Sequence, residues 1–312
     1  MRFGFCLPHD GELSLPQNLK ELARFAERLG FDTLVEPSDH LVMPDRIKTT
    51  YPYSTSGEYT DTTEDLDQAT TLAFVSAHTD RIRLMTGICV VPYRNPMALA
   101  NTFATIDHLS GGRLDFGAGT GWMKDEFDLL NVSYDERGTI MDESLRILKI
   151  IWSEKKPSFS GKYYHFQDVH FSPKVIQKPH PPIWVGGESP RAIRRAAELG
   201  NGWFPIDCNP TFPLMTLEQV KSGIARFHRQ VEKAGRGPAD LKVGYIAQNF
   251  EINDNTSDSR IFAGAPRKIL DTIREMEHLS VSFIAISLLR ENLEATKKYT
   301  ERFASEVMRK LN

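Results

Sequence analysis

Eight short apolar runs alternate with eight amphipathic runs along the chain, and this alternation constrains its fold more than any other feature. The strand-like runs are 2–7, 31–36, 82–91, 114–117, 183–185, 203–206, 242–248 and 281–288. The helix-like runs are 15–29, 65–78, 96–109, 135–152, 192–199, 217–233, 266–278 and 291–310, with a short helical turn at 123–130. Strands separated by helices pair in parallel through right-handed crossovers. Eight such units in 312 residues predict one domain, 1–312, folded as a closed (β/α)8 TIM barrel. The rival is an open doubly wound sheet. It is disfavoured because Cys6-Leu7-Pro8-His9-Asp10-Gly11 after the first strand lacks the Gly-x-Gly-x-x-Gly fingerprint.

Punctuation supports these boundaries. Ser14 is the expected cap of the first helix, Gly30 its stop, and Gly111-Gly112 the end of the third. Residues 158–177 break the rhythm, because alternating aromatics around Gly161 predict a hairpin excursion before strand five.

The net charge of −3 and the lack of a basic tract argue against a nucleic-acid partner. Cys6, Cys89 and Cys208 lack metal spacing and suit a reducing cytoplasm, so no metal site is expected. Neither a signal peptide nor a bilayer-length apolar run is read, so no membrane partner is expected.

In such a barrel, function sits where the strands end. Those ends are rich in glycine and poor in charge: Thr86-Gly87-Ile88-Cys89, Gly117-Ala118-Gly119-Thr120-Gly121-Trp122 and Gly186-Gly187-Glu188-Ser189. Strand two ends in Glu36-Pro37-Ser38-Asp39-His40. In the fifth unit Ser189 is an N-cap and Pro190 the first helical residue, so the free N–H groups past Gly186-Gly187 form either a phosphate site or an ordinary βα turn. Such a mouth suits a large flat ligand with a phosphate tail better than a metal centre or a paired-carboxylate glycosidase.

Ser38-Asp39-His40-Leu41, Arg94-Asn95-Pro96 and Leu109-Ser110-Gly111-Gly112-Arg113 resemble the bacterial luciferase-like monooxygenase family. So do Gly119-Thr120-Gly121-Trp122, Pro181 through Gly187, and Leu199-Gly200-Asn201-Gly202-Trp203-Phe204-Pro205. The branch resembled most is that of F420-dependent oxidoreductases. The resemblance implies a (β/α)8 barrel, a reduced deazaflavin or flavin cofactor (F420, or alternatively FMN) and a homodimer. It places Asp39 and His40 beside the ring, with His40 moving a proton or donating a hydrogen bond, against the reading that both merely fix a loop. It places a non-prolyl cis peptide at Gly87-Ile88, Gly119, Thr120 and Gly121 along the ribityl chain, and Gly186, Gly187 and Ser189 on the phosphate.

Trp122 stands where sugar-phosphate-oxidising F420 relatives carry a Glu, which argues for an apolar substrate stacked near the ring, the other reading being a core or lid residue. The loop 43–64 with Tyr51, Tyr53 and Tyr59 is either a lid or a dimer contact, and 249–264 is a second candidate lid. Arg191 is a candidate phosphate support, whereas Arg194 and Arg195 are expected on a solvated helix face. With F420 the chemistry is hydride exchange with a small organic substrate. With FMN a separate NAD(P)H flavin reductase would supply reduced flavin for oxygen insertion. A phosphate-sugar lyase or isomerase is the third reading, weakened because the strand ends offer Glu36 and Asp207 but no Lys.

Overall fold

The computed structural model describes residues 1–60, 64–253 and 260–311. Its frame is a ring of parallel strands: β1 (Arg2–Cys6), β2 (Thr33–Glu36), β3 (Arg83–Thr86), β4 (Leu114–Gly119), β5 (Ile183–Gly186), β6 (Gly202–Phe204), β7 (Lys242–Ala247) and β8 (Val281–Ile286). Each pairs with its neighbours in chain order; β1 also pairs with β8, so the ring closes as a TIM barrel. The register sets Cys6 beside Val35, Glu36 beside Thr86, and Gly186 beside Phe204, so the chemistry-bearing ends share one rim.

The helices are α1 (Pro16–Leu29), α2 (Gln68–Ser76), α3 (Pro96–Leu109), α4 (Lys124–Leu129), α5 (Arg137–Ser153), α6 (Pro190–Leu199), α7 (Leu217–Lys233), α8 (Pro266–His278) and α9 (Leu293–Glu306). Outward strand residues such as Phe5, Leu34, Leu84 and Phe116 are wholly buried beneath them. Removing each such side chain from water stabilises the fold by about 1.5–3 kcal/mol. Inside the ring lies a separate apolar layer of Cys6, Val35, Met85, Trp184, Phe204, Ile246, Phe283 and Ala285. Its rings fit because glycines face them: a Cβ on Gly244 would stand 2.8 Å from Phe204 Cδ2.

Several expected boundaries shift. Ser14 does not cap α1. It lies in the 3-10 turn Glu12–Ser14 and bonds Gly11 O, while Leu15 takes the cap position before Pro16. Pro16 has no N–H to satisfy, so the helix starts without a side-chain cap. Gly30 does end α1, at φ 94°. The run 82–91 is not one strand. β3 stops at Thr86, the Gly87–Ile88 peptide is cis as anticipated, and Cys89–Val90 resumes pairing against Ala118 and Gly119 of β4. The excursion is a small hairpin of Phe159–Ser160 against His165–Phe166. The expected solvated face of α6 holds for Arg194 but not for Arg195. Arg195 is 6% exposed and ion-paired with Asp142 of α5, because that side of α6 packs on the neighbouring helix.

Candidate active site

His40 follows β2 in an extended loop rather than in a helix, and its position is set from α4. Its Nδ1 lies 2.7 Å from Glu126 Oε2. Glu126 is wholly buried and accepts three further hydrogen bonds: Leu41 N at 2.6 Å, Val42 N at 3.2 Å and Tyr93 Oη at 2.8 Å. Burial alone would depress the His40 pKa. The hydrogen bond and charge of Glu126, with Asp65 and Asp39 adding, outweigh it and raise the pKa above the ordinary value. Among the described residues Nε2 makes no hydrogen bond. Sequence reading missed Glu126.

Asp39 is placed differently from its neighbour. It is 5% exposed, and Arg94 grips it bidentately at 2.8 and 2.7 Å while Val90 N donates at 2.6 Å. Asp39 thus ties the loop after β2 to the segment after β3. Arg94 was noticed only as part of a motif.

The cis turn gives the mouth its floor. Ile88 is half-buried and packs against both the inner layer and the Val90, Tyr93 and Phe127 cluster. A Cβ on Gly119 would overlap Ile88 Cδ1, and one on Gly186 would stand 3.1 Å from Ile88 Cγ2. These rim glycines therefore make room for Ile88. Gly121 needs glycine for its φ of 76° and because a Cβ would stand 2.6 Å from Val90 Cγ1. Thr86 Oγ1 accepts from Gly117 N and donates to Gly117 O, joining β3 to β4 beneath the turn.

At the fifth strand end, Ser189 accepts from Ala192 N at 3.2 Å and Pro190 opens α6, as expected from the sequence. Gly187 has φ 96°, and its carbonyl accepts from Trp203 Nε1 at 2.8 Å. Glu188 is buried and accepts from Ile206 N and Asn209 Nδ2, so it staples this turn to the segment after β6. Burial raises its pKa. Burial also raises Asp207 to about 6, against hydrogen bonds from Gln248 and Asn249.

An aromatic group roofs the mouth. Trp122 lies 4.9 Å from Tyr51, 5.4 Å from Tyr59 and 6.0 Å from His40, between ring centres. Asp125 of α4 holds this loop by accepting from Lys48 N, Thr49 N and Thr49 Oγ1. Tyr53 lies near Glu188 and Cys208; burial first, then those groups, raises its pKa. The loop thus reaches from α4 towards the fifth strand end. Asp61, Thr62 and Thr63 within it, and residues 254–259 of the second candidate lid, lie outside the described residues.

Beside His40 lies a second acidic corner. Glu36, wholly buried, has no hydrogen-bond partner at either carboxylate oxygen. Neighbouring His9 Nδ1 and Gln68 Oε1 are also buried without a hydrogen bond, and the buried Asp65 carboxyl has His9 Nε2 at 3.6 Å as its ionic neighbour. Burial drives the Glu36 pKa well up against the opposing pull of the nearby Ser38 N–H, with Asp65, Asp39 and Asp67 adding. Among the described residues no three His, Cys, Asp or Glu side chains are placed to hold a metal ion, and no helix is long and apolar enough to cross a membrane.

A closed parallel barrel with a glycine-edged mouth, a third strand interrupted by a cis peptide and a histidine seated on a buried carboxyl define the fold and its candidate site. The comparisons agree: the chain belongs to the luciferase-like monooxygenase family, whose match covers residues 1–259. It is 31% identical over 242 residues to the FMNH2-dependent dimethylsulfone monooxygenase of Pseudomonas putida, covering 77% of this chain and 59% of that protein. Among solved structures, the monooxygenase RslO1 of Streptomyces bottropensis superposes with TM-score 0.80 at 21% identity, covering 100% of both chains. The coenzyme F420-dependent tetrahydromethanopterin reductase of Methanopyrus kandleri superposes with TM-score 0.77 at 17% identity, covering 100% of this chain and 99% of that one. Membership removes the lyase and isomerase reading.

Proposed function

We propose that this oxidoreductase uses F420 and exchanges a hydride with a small, fairly apolar organic substrate. The observation that carries the reading is His40, held at Nδ1 by Glu126 and without a hydrogen bond at Nε2 among the described residues, beside Trp122 and Tyr59. The residues suit the cofactor. Ile88 would back the ring, with Thr86 and Gly87 shaping the turn beneath it. Gly119, Thr120, Gly121 and Trp122 would lie along the ring and its ribityl chain. Gly186, Gly187 and Ser189 would meet the phosphate at the N-terminus of α6, where backbone N–H groups and the helix dipole favour an anion. Bound F420 supplies the hydride chemistry at its ring carbon.

In this reading the protein's own residues supply orientation, dryness and a proton. His40 Nε2 gives a proton to the substrate oxygen or takes one from it. Asp39 positions the histidine loop through Arg94 and Val90. Tyr51, Tyr59 and Trp122 close over the substrate and exclude water, which strengthens every hydrogen bond inside. The protein works in the cytoplasm as a homodimer.

The second reading is a two-component monooxygenase that receives reduced FMN from a separate NAD(P)H flavin reductase. It is favoured by the Pseudomonas putida relative, whose name specifies FMNH2. Titrating purified protein with F420 and with FMN, followed by absorbance and fluorescence, separates the two. Saturable binding of F420 and weak binding of FMN is expected. Tight binding of reduced FMN with oxygen consumption coupled to product would establish the second reading, and binding of neither would overturn both.

A further inference from the structure

We propose that Glu126 is the positioning residue that sets which nitrogen of His40 carries the reactive proton. The proposal deepens the function above, because it names the group that arms the histidine.

The geometry determines the tautomer. A carboxylate only accepts hydrogen bonds, so the 2.7 Å contact requires a proton on His40 Nδ1. In the neutral ring that leaves Nε2 with a lone pair. In the charged ring Nε2 carries the proton to be given away. The hydrogen bond at one nitrogen thus fixes the state of the other.

Glu126 cannot turn away from this task. Oε1 is taken by two backbone N–H groups, Leu41 at 2.6 Å and Val42 at 3.2 Å, which follow directly after His40. Oε2 receives both His40 and the Tyr93 hydroxyl. One buried carboxyl therefore grips the histidine ring and its own following backbone together. The other groups facing His40 are Asp65 from the loop before α2, Asp39 on its own loop, and the Tyr59 and Trp122 rings. Asp39 is already neutralised by Arg94, so Glu126 is the carboxylate in direct contact with the ring.

Glu126→Gln reverses the arrangement. Its amide oxygen stays with Leu41 and Val42, so its NH2 faces the ring and donates to Nδ1. The proton then moves to Nε2 in the neutral form, and the ring loses its negative partner.

The test is nitrogen NMR of protein labelled with ¹⁵N-histidine, without cofactor, across pH. His40 is assigned by the signals lost in His40→Asn. In wild type, neutral His40 should be the Nδ1–H tautomer, with a pKa above those of the exposed histidines. In Glu126→Gln it should be the Nε2–H tautomer with a lower pKa, and the histidine limb of the kcat profile should move to lower pH with at least a tenfold loss near neutrality. Tyr93→Phe should act the opposite way and raise the His40 pKa, because Oε2 then serves His40 alone. A general loosening of the site would not produce these opposite signs. A wild-type Nε2–H tautomer with an ordinary pKa would overturn the proposal even if the variant failed to fold. So would a folded Glu126→Gln with unchanged tautomer and pKa. The tautomer and pKa readings need no cofactor, so failure of F420 to bind would strike the proposed function and leave this assignment standing.

Discussion

Glu126 and Glu36 are both wholly buried carboxyls near the same barrel mouth, yet their surroundings are opposite. Glu126 meets four donors, including the His40 ring. Glu36 meets none in hydrogen-bonding geometry and faces Asp39, Asp65 and Asp67. A buried charge persists only where donors replace its lost water. The Glu126 side is therefore supplied with donors, whereas the Glu36 side favours a protonated carboxyl. Equal burial says little about a carboxyl; the partners decide what it does.

The largest test of this contrast removes the group that Glu126 serves. His40→Asn should lower kcat about 10²–10⁴-fold, the usual range for losing a positioned acid or base, with the melting temperature little changed. An undiminished rate would break the link between the satisfied side and chemistry. The next effect is on stability. Arg94→Met leaves Asp39 buried without its ion pair and should cost about 3 kcal/mol in urea denaturation.

Glu36→Gln should do the reverse and stabilise. The folded pKa of Glu36 lies above its unfolded value, so wild type carries no penalty at acid pH, where both states are protonated. The penalty grows as pH rises past the unfolded pKa. The variant should match wild type near pH 4 and exceed it by about 1 kcal/mol or more at pH 8, read from melting curves. Equal curves at both pH values would remove the contrast between the two carboxyls. The smallest effect concerns the roof: Asp125→Ala frees Lys48 and Thr49 and should raise KM a few-fold, about 1 kcal/mol, with kcat nearly unchanged.

The barrel was legible because each of its units is written locally. Ser189-Pro190 marks a helix start, Gly30 a stop, and apolar runs mark strands that must be buried on both faces. His40 and the Gly87–Ile88 bond were reached through motif resemblance, which encodes position along the chain. Glu126 was not legible, because Lys124-Asp125-Glu126-Phe127-Asp128 reads as a solvated helical turn and its partner lies 86 residues away. Glu36 was noted only as a weak lyase candidate, since the acidity around it comes from Asp39 at one end and Asp65 and Asp67 at the other end of the long connection 37–67. Arg195 was misplaced for a related reason: helical spacing shows which residues share a face, but not that a neighbouring helix covers that face. The Ser14 expectation failed because Leu15-Pro16 starts the helix without the hydroxyl.

The most direct test is whether the cofactor sits beside His40 at all. Adding F420 to ¹⁵N-histidine-labelled protein should shift the His40 ring signals more than those of any other histidine, His9 of the neighbouring acidic corner included. Saturation of every binding signal without any movement at His40 would contradict the placement of the ring at this mouth.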